Sequence, residues 1–203
     1  MGVNINCILG HKIKFSDIKS LPARMTEDAP LQLALQRYCN LNTAFPFEWD
    51  DEYPIVVNSE NYPDDYAALC NEFESDGVYF RLYCDGMGID LNTKTLSLGD
   101  GRRWNNYFNP FDNDTHQQYN EMVKAVCRFF EQDECLVYPD SMYPTSRIDD
   151  GFFEDPSDSY ETIKRKAIQN FGLPFEENDI NEFRSYFIIR ENAPQNQFRD
   201  EHK

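Results

Sequence analysis

The stretch GVYFRLYCDGMGIDLNTKTLSL, residues Gly77 to Leu98, decides the fold class. It holds three short strand-like runs, Gly77 to Cys84, Gly86 to Leu91 and Thr95 to Leu98, broken by Asp85-Gly86 and by Asn92-Thr93-Lys94. Asp-Gly readily adopts the positive φ that a tight hairpin turn requires, so the spacing predicts an antiparallel β-meander at the centre of the chain. Trp104 to Phe108 reads as a fourth strand beyond it.

On the N-terminal side, Val3 to Leu9 sets apolar residues against Asn with a period of two, the pattern of a half-buried strand, and Gly10 ends it. Ser16 is expected to cap a short helix through Leu21 that stops before Pro22. Leu31, Leu35 and Tyr38 share one face of a helix predicted from Pro30 to Leu41. Asn42 to Tyr62 reads as irregular apart from a short strand at Ile55 to Asn58, and Pro63 opens a helix through Phe73.

On the C-terminal side, Thr115 with Gln118 forms a capping box ahead of Tyr119, Met122, Val123, Val126 and Phe130, which recur at helical spacing. Cys135 to Tyr138 is a brief strand stopped by Pro139. Asp158 with Glu161 is expected to cap a helix that turns Ile163, Ala167 and Ile168 inward and ends at Gly172 before Pro174. Glu176 to Phe183 adds a turn or two of helix, and Ser185 to Arg190 a last strand. Helices and strands mix without a βαβ rhythm, so the fold class is α+β. Residues 1–192 are expected to form a single α+β domain with its meander packed against several helices, and residues 193–203 a polar C-terminal tail.

Of 203 residues, 40% are hydrophobic and 15% aromatic, too much apolar material for a disordered acidic chain. Against 36 acidic side chains stand 19 basic ones, a net charge of −17. Such an excess repels phosphate backbones and anionic headgroups, so direct nucleic-acid or membrane binding is disfavoured and a basic protein is the expected partner. The six cysteines show no CxxC and no disulfide-scaffold clustering, and they are expected as free thiols that behave as small hydrophobes. The opening MGVNINCILGHKIKF is not a secretory signal, and no apolar stretch is long enough to span a bilayer, which points to the cytoplasm.

Motifs for catalysis, metals and cofactors are sparse. Cys7 and His11 lie four apart across a strand and turn, which suits a turn histidine better than a ligand pair. Asp112, Asp114 and His116 alternate like the start of a calcium loop but lack its glycine and terminal Glu. Gly86 and Gly88 match two thirds of a nucleotide fingerprint with no helix after them, so a hairpin is the simpler reading. No catalytic residue, metal site or cofactor is assigned on these grounds.

Two aromatic-acidic segments, both read as loops, stand out as binding candidates: Phe45 to Tyr53 and Asp149 to Asp158. Aromatic anchors inside a carboxylate rim suit a basic protein, because rings supply buried area while charge steers the encounter. The partner-binding candidates are Trp49, Asp50, Asp51, Glu52, Asp149, Asp150, Phe152 and Glu154. The plainer reading has Trp49, Phe152 and Phe153 plugging the core from a loop.

Cys135-Leu-Val-Tyr-Pro-Asp-Ser, then Ser146-Arg-Ile-Asp-Asp, then a capped helix ending Asn170-Phe-Gly-Leu-Pro174, resembles a pattern in small cytosolic bacterial immunity-like proteins encoded near polymorphic toxins. The likeness covers about residues 135–174. It implies occlusion of a basic toxin by an acidic, aromatic-bearing face, and it carries over no catalytic residues. A protein-binding module therefore ranks above a small hydrolase or transferase using carboxylates, for which His11 and the Asp85 to Asp90 hairpin are the nearest site. A structural or regulatory domain without separable activity is the third reading. A flat acidic face favours the binder, and a deep cleft joining His11 to carboxylates favours the enzyme.

Overall fold

The computed structural model describes residues 3–18, 20–49, 80–84, 87–103, 107, 113–141, 143–153, 155, 157–176 and 186–192. Helices are α1 (Phe15–Ile18), α2 (Leu21–Glu27), α3 (Ala29–Cys39), α4 (Asn113–Phe129), α5 (Ile148–Phe153) and α6 (Tyr160–Phe171), with a 3-10 turn at Pro144–Arg147 leading into α5. Strands are β1 (Asn4–Gly10), β2 (Glu48–Trp49), β3 (Phe80–Cys84), β4 (Met87–Leu91), β5 (Thr95–Arg103), β6 (Glu134–Pro139), β7 (Phe175–Glu176) and β8 (Phe187–Arg190). The class is α+β.

The strands form one sheet in the order β2-β3-β4-β5-β1-β6-β8-β7. Neighbours run antiparallel except β7 and β8. The N-terminal strand is central: Cys7 lies opposite Leu98 of β5 on one side and Val137 of β6 on the other. Its two faces are both used, because the period-two alternation feeds two separate cores.

Ile5, Cys7 and Leu9 of β1 join Leu96 and Leu98 of β5 and Cys135 and Val137 of β6 in the larger core, covered by α2, α3 and α4. Ile8, Leu136, Tyr138 and Ile188 face the other way and pack under Ile148 and Phe152 of α5 and Ile163 and Ala167 of α6. Cys7, Cys39, Cys127 and Cys135 carry free thiols, and all but Cys39 are buried. Among the described residues no helix is long and apolar enough to cross a membrane.

Several local expectations shift. Pro22 does not stop a helix; it sits in the first turn of α2, where its missing N–H has no intrahelical partner to lose. The α3 cap is Asp28, whose carboxylate accepts from Leu31 N at 2.8 Å. Helix α4 begins at Asn113, so Thr115 lies inside it and does not cap it. Ser159, one residue past the expected Asp158, caps α6. The Gly99-Asp-Gly sequence does not break β5, which runs on to Arg103.

Asp149 to Phe153, read as loop, is helical. Ile148 and Phe152, four apart, bury one helical face in the second core, and Asp149 and Asp150 suit the first turn's dipole. Trp49, also read as loop, lies in β2 opposite Leu82. The expected elements at residues 55–58 and 63–73, the Asp85-Gly86 turn, most of 104–108, residues 177–183 and the tail at 193–203 lie outside the described residues.

Candidate functional site

Strand β6 delivers the key side chain. Leu136 and Tyr138 share the sheet face under α5 and α6, and Pro139 then releases the chain toward the 3-10 turn. The Tyr138 hydroxyl donates to Asp149 Oδ1 at 2.6 Å. Burial pushes the Tyr138 phenol well above its usual range, as does the neighbouring Asp149 carboxylate, so it stays protonated and remains a donor.

The Asp149 carboxyl is strongly perturbed. Burial pushes it up to about 6; the Tyr138 hydrogen bond works against this, and the charges of Asp90, Asp140 and Asp150 add to it. Those acids come from separate segments: Asp90 from β4, Asp140 from the end of β6, and Asp150 from α5. Asp140 accepts from Asn4 N at 2.8 Å and from the Ser141 hydroxyl at 3.0 Å, which ties it to the start of β1. Asp150 accepts from Arg147 Nε at 3.2 Å in an exposed pair.

On the other side of α5 a groove of about 380 Å³ lies beside its contact with α6. Its surface is mainly polar, from Arg147, Asp150, Asp155, Lys166 and Asn170, over a floor of Ile148, Ile163 and Ala167 that is itself buried. Lys166 Nζ donates to Asp155 Oδ2 and to Asp158 Oδ2, both at 2.6 Å, which holds the ammonium charged and braces the α5–α6 connection.

Among the described residues, two of the expected binding residues come together. Asp149 and Asp150 are adjacent on α5, one turned to Tyr138 and the other to the groove. Phe152 is 0% exposed and belongs to the second core, so the expectation that it anchors a partner is corrected: its i to i+4 spacing from Ile148 turns it inward. Asp50, Asp51, Glu52 and Glu154 lie outside the described residues.

The enzyme candidate His11 is engaged by backbone. Its Nε2 lies 2.7 Å from Asn92 O, and its Nδ1 accepts from Ile13 N at 3.1 Å, which assigns the proton to Nε2. Burial lowers its pKa from the ordinary 6.5, partly offset by bonds to the Asn92 and Thr95 backbone, so the ring is neutral and structural. Cys7 is in the first core, and His116 lies with its ring 4.2 Å from that of Tyr107. Among the described residues no group of three or more His, Cys, Asp or Glu is placed to hold a metal ion.

Sequence reading missed Tyr138, Asp140 and Lys166, and offered Asp90 only within the Asp85 to Asp90 hairpin of the enzyme alternative. The period of two in Leu136-Val-Tyr138 was a signal that Tyr138 lies on one face, but which helix covers that face is not encoded locally. No family model matches the chain, and no curated protein or solved structure matches it.

Proposed function

We propose that this chain is an acidic protein-binding module, a single cytoplasmic domain built around its meander, whose specific role is immunity-like occlusion of a basic toxin. The observation that carries the reading is the gathering of Asp90, Asp140 and Asp150 about Asp149, a carboxyl that burial pushes up to about 6 with those charges adding to the rise. Like charges held together by the fold store unfavourable energy, and a cationic surface docked over them releases it. The net charge of −17 extends the attraction beyond contact and speeds the encounter. The likeness of residues 135–174 to immunity-like proteins supports the same reading, because those residues include Tyr138, Asp140, Asp149 and Asp150.

The test is retention of proteins by a tagged chain in extract of its native host at low and moderate salt, with an Asp149→Asn, Asp150→Asn double variant beside it. A stoichiometric basic protein that is released as salt rises and is held less by the variant supports the reading. Nothing retained at either salt overturns it.

A second reading, acid–base catalysis by a carboxylate, is favoured by one observation: Asp149 near 6 beside a phenol is partly protonated close to neutrality. It uses Asp149 in place of His11. Substrate turnover lost in Asp149→Asn, with no partner retained by the wild-type chain, selects it.

A further inference from the structure

We infer that α5 is a proton-dependent latch: it lies closed over the second core while Asp149 carries a proton, and once Asp149 is ionised it lifts from the sheet more readily, ahead of the rest of the domain. No partner enters this inference, which goes beyond the protein-binding reading and does not depend on it. Three features carry it.

The helix does not hold itself together. It spans only the six residues Ile148–Phe153, too short for intrinsic stability, and Gly151 within it weakens it further. It persists because Ile148 and Phe152, 3% and 0% exposed, pack into the second core. The 3-10 turn that precedes it is closed locally, with Ser146 N and Oγ donating to Tyr143 O at 3.0 and 2.7 Å. An element of this kind can detach as a unit of its own while the sheet stays formed.

Side chains of the sheet grip both ends of α5. In its first turn Asp149 Oδ1 accepts from the Tyr138 hydroxyl of β6 at 2.6 Å, and near its end Phe152 O accepts from Asn92 Nδ2, just past β4, at 2.7 Å. The Asn92 bond does not titrate. The Tyr138 bond ends on a carboxyl, so the grip on the first turn depends on whether that carboxyl is neutral or charged.

The groups around Asp149 set the sign. Acids act on it from three segments, Asp90 of β4, Asp140 just past β6 and Asp150 of α5 itself. Cations on the neighbouring elements are engaged with other acids: Arg147 with Asp150, Lys164 of α6 with Glu134, and Lys166 of α6 with Asp155 and Asp158. Ser97 of β5 bonds to Tyr138, His11 beside Asn92 is neutral, and β1 and β8 offer Ile8 and Ile188. Burial raises Asp149 from 3.8 to about 6 and the three charges add to the rise, while the Tyr138 bond opposes it. Opening returns the carboxyl to water and to its ordinary value. The closed form is therefore most secure below 3.8, loses ground as pH rises to about 6, and changes little above that.

The experiment follows backbone amide hydrogen exchange of the full chain by NMR at pH 5 and pH 7.5, with intrinsic exchange rates divided out, in wild type and in Asp149→Asn, whose amide oxygen still accepts from Tyr138. Opening at Gly151 and Phe152 is expected to rise about tenfold between the two pH values in wild type, the ratio that a carboxyl at 3.8 when open and about 6 when closed produces. In Asp149→Asn it is expected to stay level. Low urea should leave exchange at Gly151 and Phe152 unchanged while it speeds exchange at Val123 and Val126 of α4, because α5 opens alone and α4 only with the whole domain. Amides of α5 that are as protected as those of α4 and equally sensitive to urea overturn the latch, since the helix then opens only with the fold. A tenfold rise that persists in Asp149→Asn also overturns it, because another group is then titrating. Should Asp149→Asn not fold, the pH rise at Gly151 and Phe152 and its insensitivity to urea decide in wild type alone, and the absence of either sinks the inference.

Discussion

Tyr138 at the end of β6 donates its hydroxyl proton to Asp149 at the start of α5 over 2.6 Å, so that a phenol which keeps its proton holds a carboxyl which is reluctant to lose one. The bond fixes α5 on the sheet and places the negative end of the site where the acids of β4 and β6 reach it.

Replacing Asp149 should stabilise the protein near neutrality. Its folded pKa is raised from 3.8 to about 6, so between those values the folded state keeps a proton that the unfolded chain has lost. Stability is therefore highest below the unfolded value, falls as pH rises through about 6, and levels off above it. The penalty at pH 7.5 is on the order of 2–3 kcal/mol. Asp149→Asn, whose amide oxygen still accepts from Tyr138, should recover much of it at pH 7.5 and little at pH 4, as read by urea unfolding at both values. Equal effects at the two pH values would show that the burial and crowding of Asp149 do not strain the fold.

Glu134 behaves with the opposite sign. It accepts from Lys164, from Arg190 and, at 3.1 Å, from the Tyr160 hydroxyl, and its side chain is only 13% exposed. Burial raises its pKa, but the Lys164 and Tyr160 hydrogen bonds and the two positive charges outweigh it and leave the carboxyl below its usual 4.5. Its contribution is present above that value and lost as pH falls through the folded pKa. Glu134→Ala strips one acceptor from three donors that join β6, α6 and β8, and it should cost about 2 kcal/mol at pH 7. Thermal unfolding measures it.

His11 makes the fold acid-sensitive. Because its folded pKa is lowered from 6.5, the stability it gives is full above that value and declines as pH falls through the folded one. NMR titration of the ring should place its pKa below 6.5, with the proton on Nε2. His11→Ala removes both backbone bonds of the ring and should cost about 2 kcal/mol, with retention of the basic protein unchanged among the folded molecules. Loss of retention without loss of stability would add His11 to the partner-binding surface.

Gly172 closes α6 with φ of +86°, a region that side chains with a Cβ rarely adopt. Gly172→Ala is expected to cost about 1 kcal/mol or more by unfolding measurements, although a Cβ there meets no described atom within 4 Å. The penalty comes from the backbone alone, so a compatible D-alanine placed there by synthesis should restore stability.

What the sequence by itself determined is whatever depends on near neighbours along the chain. The Asn-apolar alternation of β1, the helical spacing from Tyr119 to Phe130 and the Gly172-Leu-Pro174 stop are local, and each element is found where its pattern lies. The class, α+β, follows from their mixture. Tertiary structure alone decided that β1 sits between β5 and β6, which makes both its faces core. It also turned an apparent acidic loop into α5, because two apolar side chains four residues apart gain burial only when a sheet is there to receive them. That single act sent Phe152 inward and left Asp149 and Asp150 on the flanks. The meeting of Asp90, Asp140 and Asp149 was not legible for the same reason: like charges do not seek each other, and only the hydrophobic burial of the elements that carry them brings them together.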